Sequence, residues 1–212
     1  MTIASTDLAA ALTDVRKAYR VAHAYQRRLW DLLRTVNDEL STRRLQFTRW
    51  RTQGLDPVPN ARTAFFEERW AWDFLPAYNI ACEWQRFDRA RNITHRPNLI
   101  FTADTGYPLA PSLEPHGVHL EPVEQSKSEV QVGLWTVTGD TPQWRKAFEE
   151  HFKNARDGKT HALTLDGSTY TYRYLRIDMA ELTDDEAIIG KLVTPITSWL
   201  DASGGLPAAI LE

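Results

Sequence analysis

A seven-residue repeat of apolar side chains near the N-terminus constrains the fold more than any other feature of this chain. Its members follow one another at alternating spacings of four and three residues, which keeps them on one side of a helix. The repeat therefore predicts an amphipathic helix, of coiled-coil type, from Leu8 to Leu40, with a weaker extension towards Trp50. Two positions depart from the pattern, since Gln26 is polar and Arg43 stands where an apolar residue is due. The other positions are Leu8, Leu12, Val15, Tyr19, Ala22, Leu29, Leu33, Val36, Leu40 and Phe47.

The remainder of the chain shows strand patterns, a hairpin turn at Asp166-Gly167 and further helix patterns. Pro195 is expected to kink the last helix or end its first half. We predict an α+β fold in which a mainly antiparallel sheet of about five strands packs with the long helix and two further helices. The predicted strands are 77–87, 99–103, 129–138, 160–165 and 169–177, the later helices are 141–158 and 183–200, and 88–98 is a polar loop.

Residues 52–60 hold Gly54, Pro57 and Pro59, which exclude both a helix and a central strand. We therefore divide the chain into the helix, residues 1–52, and a sheet domain, residues 60–204, and expect the two to form one structural unit. The even-numbered residues around Ile80, Cys82 and Trp84 are apolar, and we expect them to form the buried face of the first of these strands.

The composition, with 42% hydrophobic and 25% charged residues, is that of a soluble globular protein. The first residues lack a basic start and an apolar segment, so no signal peptide is expected, and no run of about 18 apolar residues predicts a membrane span. The one cysteine, Cys82, cannot form an intrachain disulfide, which is typical of a reducing compartment. We expect a cytoplasmic protein in which Cys82 is a buried structural residue.

Positive charge is concentrated in residues 1–100, which hold 16 Lys and Arg against 11 Asp and Glu, whereas the remainder holds 9 against 17. The densest basic stretch contains Arg43, Arg44, Arg49 and Arg51 with Trp50 among them. Basic and aromatic side chains mixed in this way can bind nucleic acid. They are also typical of the solvated end of a core helix, where arginine stems cover apolar surface.

No motif in the sequence predicts a cofactor or a metal. His116 and His119 lie three residues apart near several glutamates, but they have no cysteine partner and no fixed metal-ligand spacing. Surface polar residues in a proline-rich loop are the favoured interpretation. We therefore expect neither a metal site nor a cofactor, and the glutamates concerned are Glu114, Glu121 and Glu124.

The order helix, three strands, helix, strand is similar to that of restriction-endonuclease-like nucleases. The resemblance implies that carboxylates at the second and third strands hold a divalent metal and that a lysine follows two residues after the last carboxylate. Asp104 and Glu129 stand at roughly these positions, whereas Gln131 stands where the lysine is expected and no Pro-Asp pair precedes them. An active or inactive metal-dependent nuclease is thus one alternative function.

The length of the N-terminal helix favours a different function. At 1.5 Å per residue, Leu8 to Leu40 spans about 50 Å, against roughly 40 Å for the remaining chain. An overhang of about 10 Å would leave its apolar stripe in water, unless a bend near Gln26 or Ser41 returned it to the sheet. We therefore expect a non-enzymatic intracellular assembly subunit, with a nucleic-acid-binding accessory protein using the Arg43–Arg51 patch as a further alternative. The contact residues for a second copy or another protein would be Leu8, Leu12, Val15 and Tyr19.

Overall fold

The computed structural model describes residues 5–52, 79–105, 122–139 and 157–203. A long helix precedes a six-stranded antiparallel sheet, and two shorter helices follow it. The α+β fold is therefore confirmed, with six strands in place of about five. The helices are α1 (Ser5–Thr42), α2 (Asp185–Ile188) and α3 (Thr194–Ala202), and the strands are β1 (Gln46–Thr52), β2 (Asn79–Asp88), β3 (Ile93–Thr102), β4 (Glu129–Thr138), β5 (Thr160–Leu165) and β6 (Ser168–Asp178).

Helix α1 continues for 38 residues, about 57 Å, and passes through Gln26 and Ser41 without interruption. Its end is a Schellman motif, in which the Arg44 N–H donates to the Ser41 carbonyl at 2.9 Å and the Leu45 N–H to the Leu40 carbonyl at 3.2 Å. Arg44 has a φ of +61°, the left-handed conformation that this motif requires. The motif turns the chain away from the helix axis and into β1.

The predicted extension of the helix towards Trp50 is therefore wrong, since β1 occupies that stretch. The two aromatic residues Phe47 and Trp50 lie three apart, which is a helical spacing and would place them on opposite faces of a regular strand. A bulge between Phe47 and Arg49 shifts the register, and both aromatic side chains pack against the same core. Because of the bulge, these two residues face the same core from a strand, at a spacing that otherwise indicates a helix.

The sheet has the order β1-β2-β3-β4-β6-β5, and all five pairings are antiparallel. The hairpin around Asp166-Gly167 is confirmed, as is the strand at 129–138. The predicted polar loop at 88–98 is wrong, because β3 begins at Ile93 and only a short turn precedes it. In β3 the polar residues Arg96 and Asn98 alternate with buried neighbours, so their face of the strand is opposite the main core.

The main core lies between one face of the sheet and the helices. Ile80, Cys82 and Trp84 are buried there, as the even-numbered pattern predicted, and Trp84 Nε1 donates to Asn37 Oδ1 of α1 at 3.1 Å. Burial of side chains in α1 begins at Leu29. The opposite face carries a second buried cluster of Trp135, Val137, Tyr170, Tyr172 and Tyr174.

Helix α2 is capped by Asp184, whose carboxylate accepts from the Ala187 N–H at 2.9 Å. A π-helical turn, Ile189–Val193, joins α2 to α3 immediately before Pro195. Proline has no N–H to donate to the carbonyl four residues earlier, so the wide turn occurs where the sequence predicted a kink. The division at residues 52 and 60 stays a prediction, and the predicted helix 141–158 lies outside the described residues, apart from its last two positions.

Candidate functional site

The N-terminal part of α1 stands clear of the described parts of the sheet and the other helices, since every residue from 8 to 21 is exposed. Leu8, Leu12, Val15 and Tyr19 are between 48% and 56% exposed. Their stripe continues, with the slow drift expected of a straight helix, into the buried face that begins at Leu29. The exposed part is about 20 Å long, roughly twice the overhang expected from length alone. We call it the α1 tip.

Contacts between α1 and the rest of the protein begin above this tip. The Tyr25 hydroxyl donates to Met179 Sδ at 3.6 Å, and the Arg28 guanidinium donates to the carbonyl of Leu182. Burial raises the pKa of Tyr25 to about 12, so its hydroxyl stays protonated and available as a donor at neutral pH. These contacts attach the second half of the helix to the rest of the protein and leave the tip as a projection.

The basic patch predicted at residues 43–51 is divided between different environments. Trp50 is 7% exposed in the main core, so its ring is not open to a nucleic-acid base. Arg49 forms a two-point ion pair with Glu83, with both bonds at 2.9 Å. Arg43 Nη1 lies 3.9 Å from Asp201 Oδ1, and the Arg51 side chain lies outside the described residues. Arg44, in contrast, lines a cleft, and nucleic-acid binding by the predicted set stays a prediction.

That cleft, which we call the corner cleft, has a volume of about 670 Å³ and lies where α1 ends and β1 begins. It exists because β2 extends beyond its partner: Gln46, the first residue of β1, pairs with Gln85, and the next three residues of β2 have no partner on that side. The loop between α1 and β1 crosses the open corner instead. The lining residues are Arg44, Gln46, Phe47, Thr48, Gln85, Arg86, Phe87, Asp88 and Arg89.

The corner cleft carries an excess of positive charge, with three arginines and one carboxylate in its lining. Asp88 is engaged locally, because its carboxylate accepts from the backbone N–H groups of Ala90 and Arg91 at 3.1 and 3.3 Å. Within the described residues, no carboxylate lies within ion-pair distance of Arg44, Arg86 or Arg89. Their charges are therefore available to a ligand.

Arg86 is the most enclosed of the three arginines. Its guanidinium donates to the Arg43 carbonyl at 3.4 Å. Burial is the main reason that the pKa of Arg86 lies below the usual range; the carboxylates of Asp88 and Asp201 oppose this effect, and Arg43 adds to it. Phe87 adds an apolar wall, since half of its side chain is exposed. Arg86 and Phe87 are consecutive in β2, so their side chains leave opposite faces of the strand, and the cleft at the edge of the sheet is lined by both. A lining with guanidinium groups and an exposed aromatic ring is suited to anions that carry a flat ring.

Arg44 holds its position in the corner cleft at an energetic cost. The left-handed position of a Schellman motif is usually glycine or asparagine, because a Cβ there meets the following carbonyl, and another residue costs ~1 kcal/mol. Arg44 has this conformation without being either residue type. The chain thus has an arginine, in place of the more stable glycine, at a position that lines the cleft.

A buried histidine lies beside the cleft, opposite Arg86 in the β2–β3 register. His95 is 0% exposed, and its Nδ1 lies 3.3 Å from Thr136 Oγ1. The pKa of His95 is lowered to about 4, chiefly by burial and to a smaller extent by the positive charges of Arg86 and Arg91, with Asp88 acting in the opposite direction. His95 is therefore neutral at physiological pH and supports the cleft wall without adding charge.

The carboxylates of the nuclease alternative lie at one end of the β3–β4 pair, since Glu129 pairs with Thr102 and Asp104 follows two residues later. Glu129 Oε1 is 3.8 Å from Arg176 Nε, and Gln131 Nε2 donates to the Tyr172 hydroxyl at 2.7 Å. Across the described parts of the chain, no group of three or more His, Cys, Asp or Glu could hold a metal ion. A catalytic role for Asp104, Glu129 and Gln131 remains untested.

Cys82 is fully buried, and burial, with a contribution from Glu83, raises the pKa of its thiol well above the usual range. The thiol is therefore not a reactive thiolate at neutral pH. His116 and His119 lie outside the described residues, as do Glu114 and Glu121, whereas Glu124 is exposed in a turn.

The sequence matches a known protein family over most of its length. Residues 5–198 match the family model described as PM0109. The chain belongs to the PM0109 family. This match spans α1, the whole sheet, α2 and most of α3, so the fold described above is the fold of a PM0109 family member. Neither a curated protein nor a solved structure matches the chain significantly, and among the helices of the described residues none is long and apolar enough to cross a membrane.

Sequence reasoning missed most of the corner cleft of this PM0109 family protein. Arg86, Phe87 and Arg89 are at least 42 residues from Arg44, and they adjoin a stretch interpreted as a polar loop. The pairing register that joins the two stretches depends on a bulge, which the alternation of residues does not reveal. A usable pattern was present nonetheless: both stretches combine arginine with phenylalanine.

Proposed function

We propose that this protein is an assembly subunit whose α1 tip pairs with the α1 tip of a second copy. The observation that supports it is the apolar stripe on a projecting helix, with about half of each of Leu8, Leu12, Val15 and Tyr19 in water. A stripe with alternating spacings of four and three residues is the pattern with which two helices pack side by side. A cytoplasmic location of this assembly stays a prediction.

A second copy suits this surface because the tip is complementary to itself. Alanine occupies positions 9, 11 and 18 beside the stripe, and small side chains at the flanks let two identical helices approach closely. Thr13, Asp14, Arg16 and Lys17 are satisfied by contacts within the helix itself, since Arg16 donates to Thr13 and Lys17 pairs with Asp14 at 2.9 Å. The apolar stripe is the part of the tip that gains from a partner.

The expected strength of the dimer follows from the stripe. Full burial of a large apolar side chain contributes ~1.5–3 kcal/mol, so burying the exposed half of eight side chains in a dimer contributes roughly 8 kcal/mol. The loss of translational and rotational freedom, estimated at ~4–15 kcal/mol, opposes this gain. At the lower of these costs the balance is about 4 kcal/mol, which corresponds to a dissociation constant of about 1 mM. We therefore expect weak association, well below that of an obligate dimer, to be measurable between about 50 µM and about 1 mM.

Sedimentation velocity of the full chain across that concentration range tests the proposal. Leu12→Glu and Val15→Glu place a charge in the stripe, and each is expected to weaken association at least about tenfold, because the carboxylate would be buried without a partner. Val21→Glu is the matched control: Val21 is 70% exposed, lies on the opposite side of the same helix and should leave association unchanged.

Two results would overturn the proposal. A wild type that stays monomeric up to about 1 mM lacks self-association of the expected strength. A stable complex with a different chain at equimolar ratio, lost in Leu12→Glu, would assign the tip to another partner.

A further inference from the structure

We propose that the corner cleft binds a nucleotide, with Arg44, Arg86 and Arg89 directed at its phosphate oxygens and Phe87 at its base. Nothing in this inference depends on the association of the α1 tip, which lies at the other end of α1. The ligand class follows from the lining, which combines three guanidinium groups with an aromatic ring that is half in water.

The charge of the cleft selects an anion. Among the described residues the three arginines form no ion pair, and they line one space of about 670 Å³. The charges of Asp88 and Asp201 act on Arg86 from a distance, and the lining as a whole keeps an excess of positive charge. Guanidinium groups are planar, permanently charged donors that match the geometry of phosphate oxygens. The carboxylate of Asp88 is held by the turn that follows β2, which limits how far it opposes an anion.

The apolar wall selects a ring in addition to the phosphate. Phe87 is half exposed and lines the same cleft as the arginines, so its ring offers a stacking surface for a base, and stacking tolerates any base because each has a flat face. The volume lies within the range of roughly 300–1,000 Å³ that is usual for small-molecule sites. Gln46 and Gln85, which pair across the two strands, add amide donors and acceptors to the lining.

Arg44 supplies an independent argument. A Schellman motif with arginine in the left-handed position is less stable than the same motif with glycine, so the residue is not explained by the helix end itself. The position is explained if the guanidinium is needed in the cleft. Substitution by glycine should therefore raise stability and weaken ligand binding at the same time, a combination that a purely structural role would not produce.

The test uses the purified full chain and three probes at constant ionic strength: AMP, a single-stranded oligo-dT of about ten nucleotides, and inorganic phosphate. Binding is followed by calorimetry for AMP and phosphate and by fluorescence anisotropy for a labelled oligo-dT. A free nucleotide and a nucleotide within a strand present the same chemistry, and the first two probes distinguish these sources. Affinity for AMP assigns the site to free nucleotides, whereas affinity for oligo-dT alone assigns it to single-stranded nucleic acid.

Three variants sharpen the test. Arg44→Gly is expected to weaken nucleotide binding at least about tenfold while raising Tm by ~2–4 °C, so a loss of binding cannot be attributed to a failure to fold. Phe87→Ala is expected to weaken binding of AMP or oligo-dT with little effect on phosphate. Arg27→Gln is the control, because it removes the same charge from an exposed position on α1 outside the cleft.

Three outcomes would overturn the inference. Neither AMP nor oligo-dT binds the wild type. Arg44→Gly lowers affinity no more than Arg27→Gln does, which would indicate diffuse attraction to a basic surface. Phe87→Ala leaves nucleotide affinity unchanged and phosphate binds as well as AMP, which would indicate an anion site without recognition of a base.

Discussion

Protonation of His95 should destabilise the folded protein, and the effect can be isolated by comparing the wild type with His95→Gln as pH is lowered. The imidazole is 0% exposed, is bonded through Nδ1 to Thr136, and faces the positive charges of Arg86 and Arg91. Within the described residues, Nε2 has no hydrogen-bond partner. A proton added there would place a charge in the core without a compensating acceptor.

The size of the effect follows from the two pKa values of this residue. The pKa of His95 is 6.5 in the absence of structure and about 4 in the folded protein. The unfolded chain therefore takes up the proton first, and stability is lost as pH falls through the window between about 6.5 and about 4. The difference corresponds to ~3 kcal/mol over the whole window, of which ~2 kcal/mol is lost by pH 5.

Urea denaturation of both proteins at pH 7.5, 6.5, 5.5 and 5 gives the measurement. The stability of the wild type relative to His95→Gln should fall by ~2 kcal/mol between the highest and lowest pH, since the other titrating groups contribute equally to both proteins and cancel. Titration of the His95 ring by NMR is a direct second measurement. Parallel stability curves, or a ring that titrates near 6.5, would refute the argument.

Two further predictions concern the sheet and the carboxylates at its end. A Cβ at Gly133 would lie 2.1 Å from Asn98 Oδ1, so Gly133→Ala should lower the free energy of unfolding by ~2 kcal/mol. In urea denaturation, combination with Asn98→Ala should restore at least half of this loss. A double variant no more stable than Gly133→Ala would contradict this reason. Incubation with DNA or RNA and magnesium or manganese should give no cleavage that depends on Asp104, because Gln131 stands where the resemblance requires a lysine; cleavage lost in Asp104→Ala would establish the nuclease alternative.

Elements defined by contiguous sequence patterns could be predicted because each pattern has one dominant structural solution. The period of the α1 stripe, the turn at Asp166-Gly167 and the alternation in β4 depend on residues close in sequence, and all three are confirmed. The sixth strand, β1, was missed for a physical reason. Its bulge gives Phe47 and Trp50 the same inward direction at a helical spacing, so residue periodicity favoured the wrong element.

Of the two candidate sites, one could be predicted from contiguous sequence and the other could not. The exposed stripe from Leu8 to Tyr19 could be predicted, because one helix displays it and its exposure depends only on the length of that helix. The corner cleft could not, because it requires the register of β1 against β2 and the distance by which β2 extends beyond it. The left-handed Arg44 is equally invisible in the sequence, since the residue usually found there is glycine.

Helix α1 carries the two proposed sites at its opposite ends. Leu12 and Arg44 are 32 residues apart, which is about 45 Å along the helix axis, far beyond the ~10 Å within which substitutions usually influence one another. The packed segment from Leu29 to Leu40 separates them and is held by the main core. Association through the tip therefore leaves the corner cleft open, and an assembled pair would present two clefts. Because the two sites share no residue, failure of either proposal leaves the other intact.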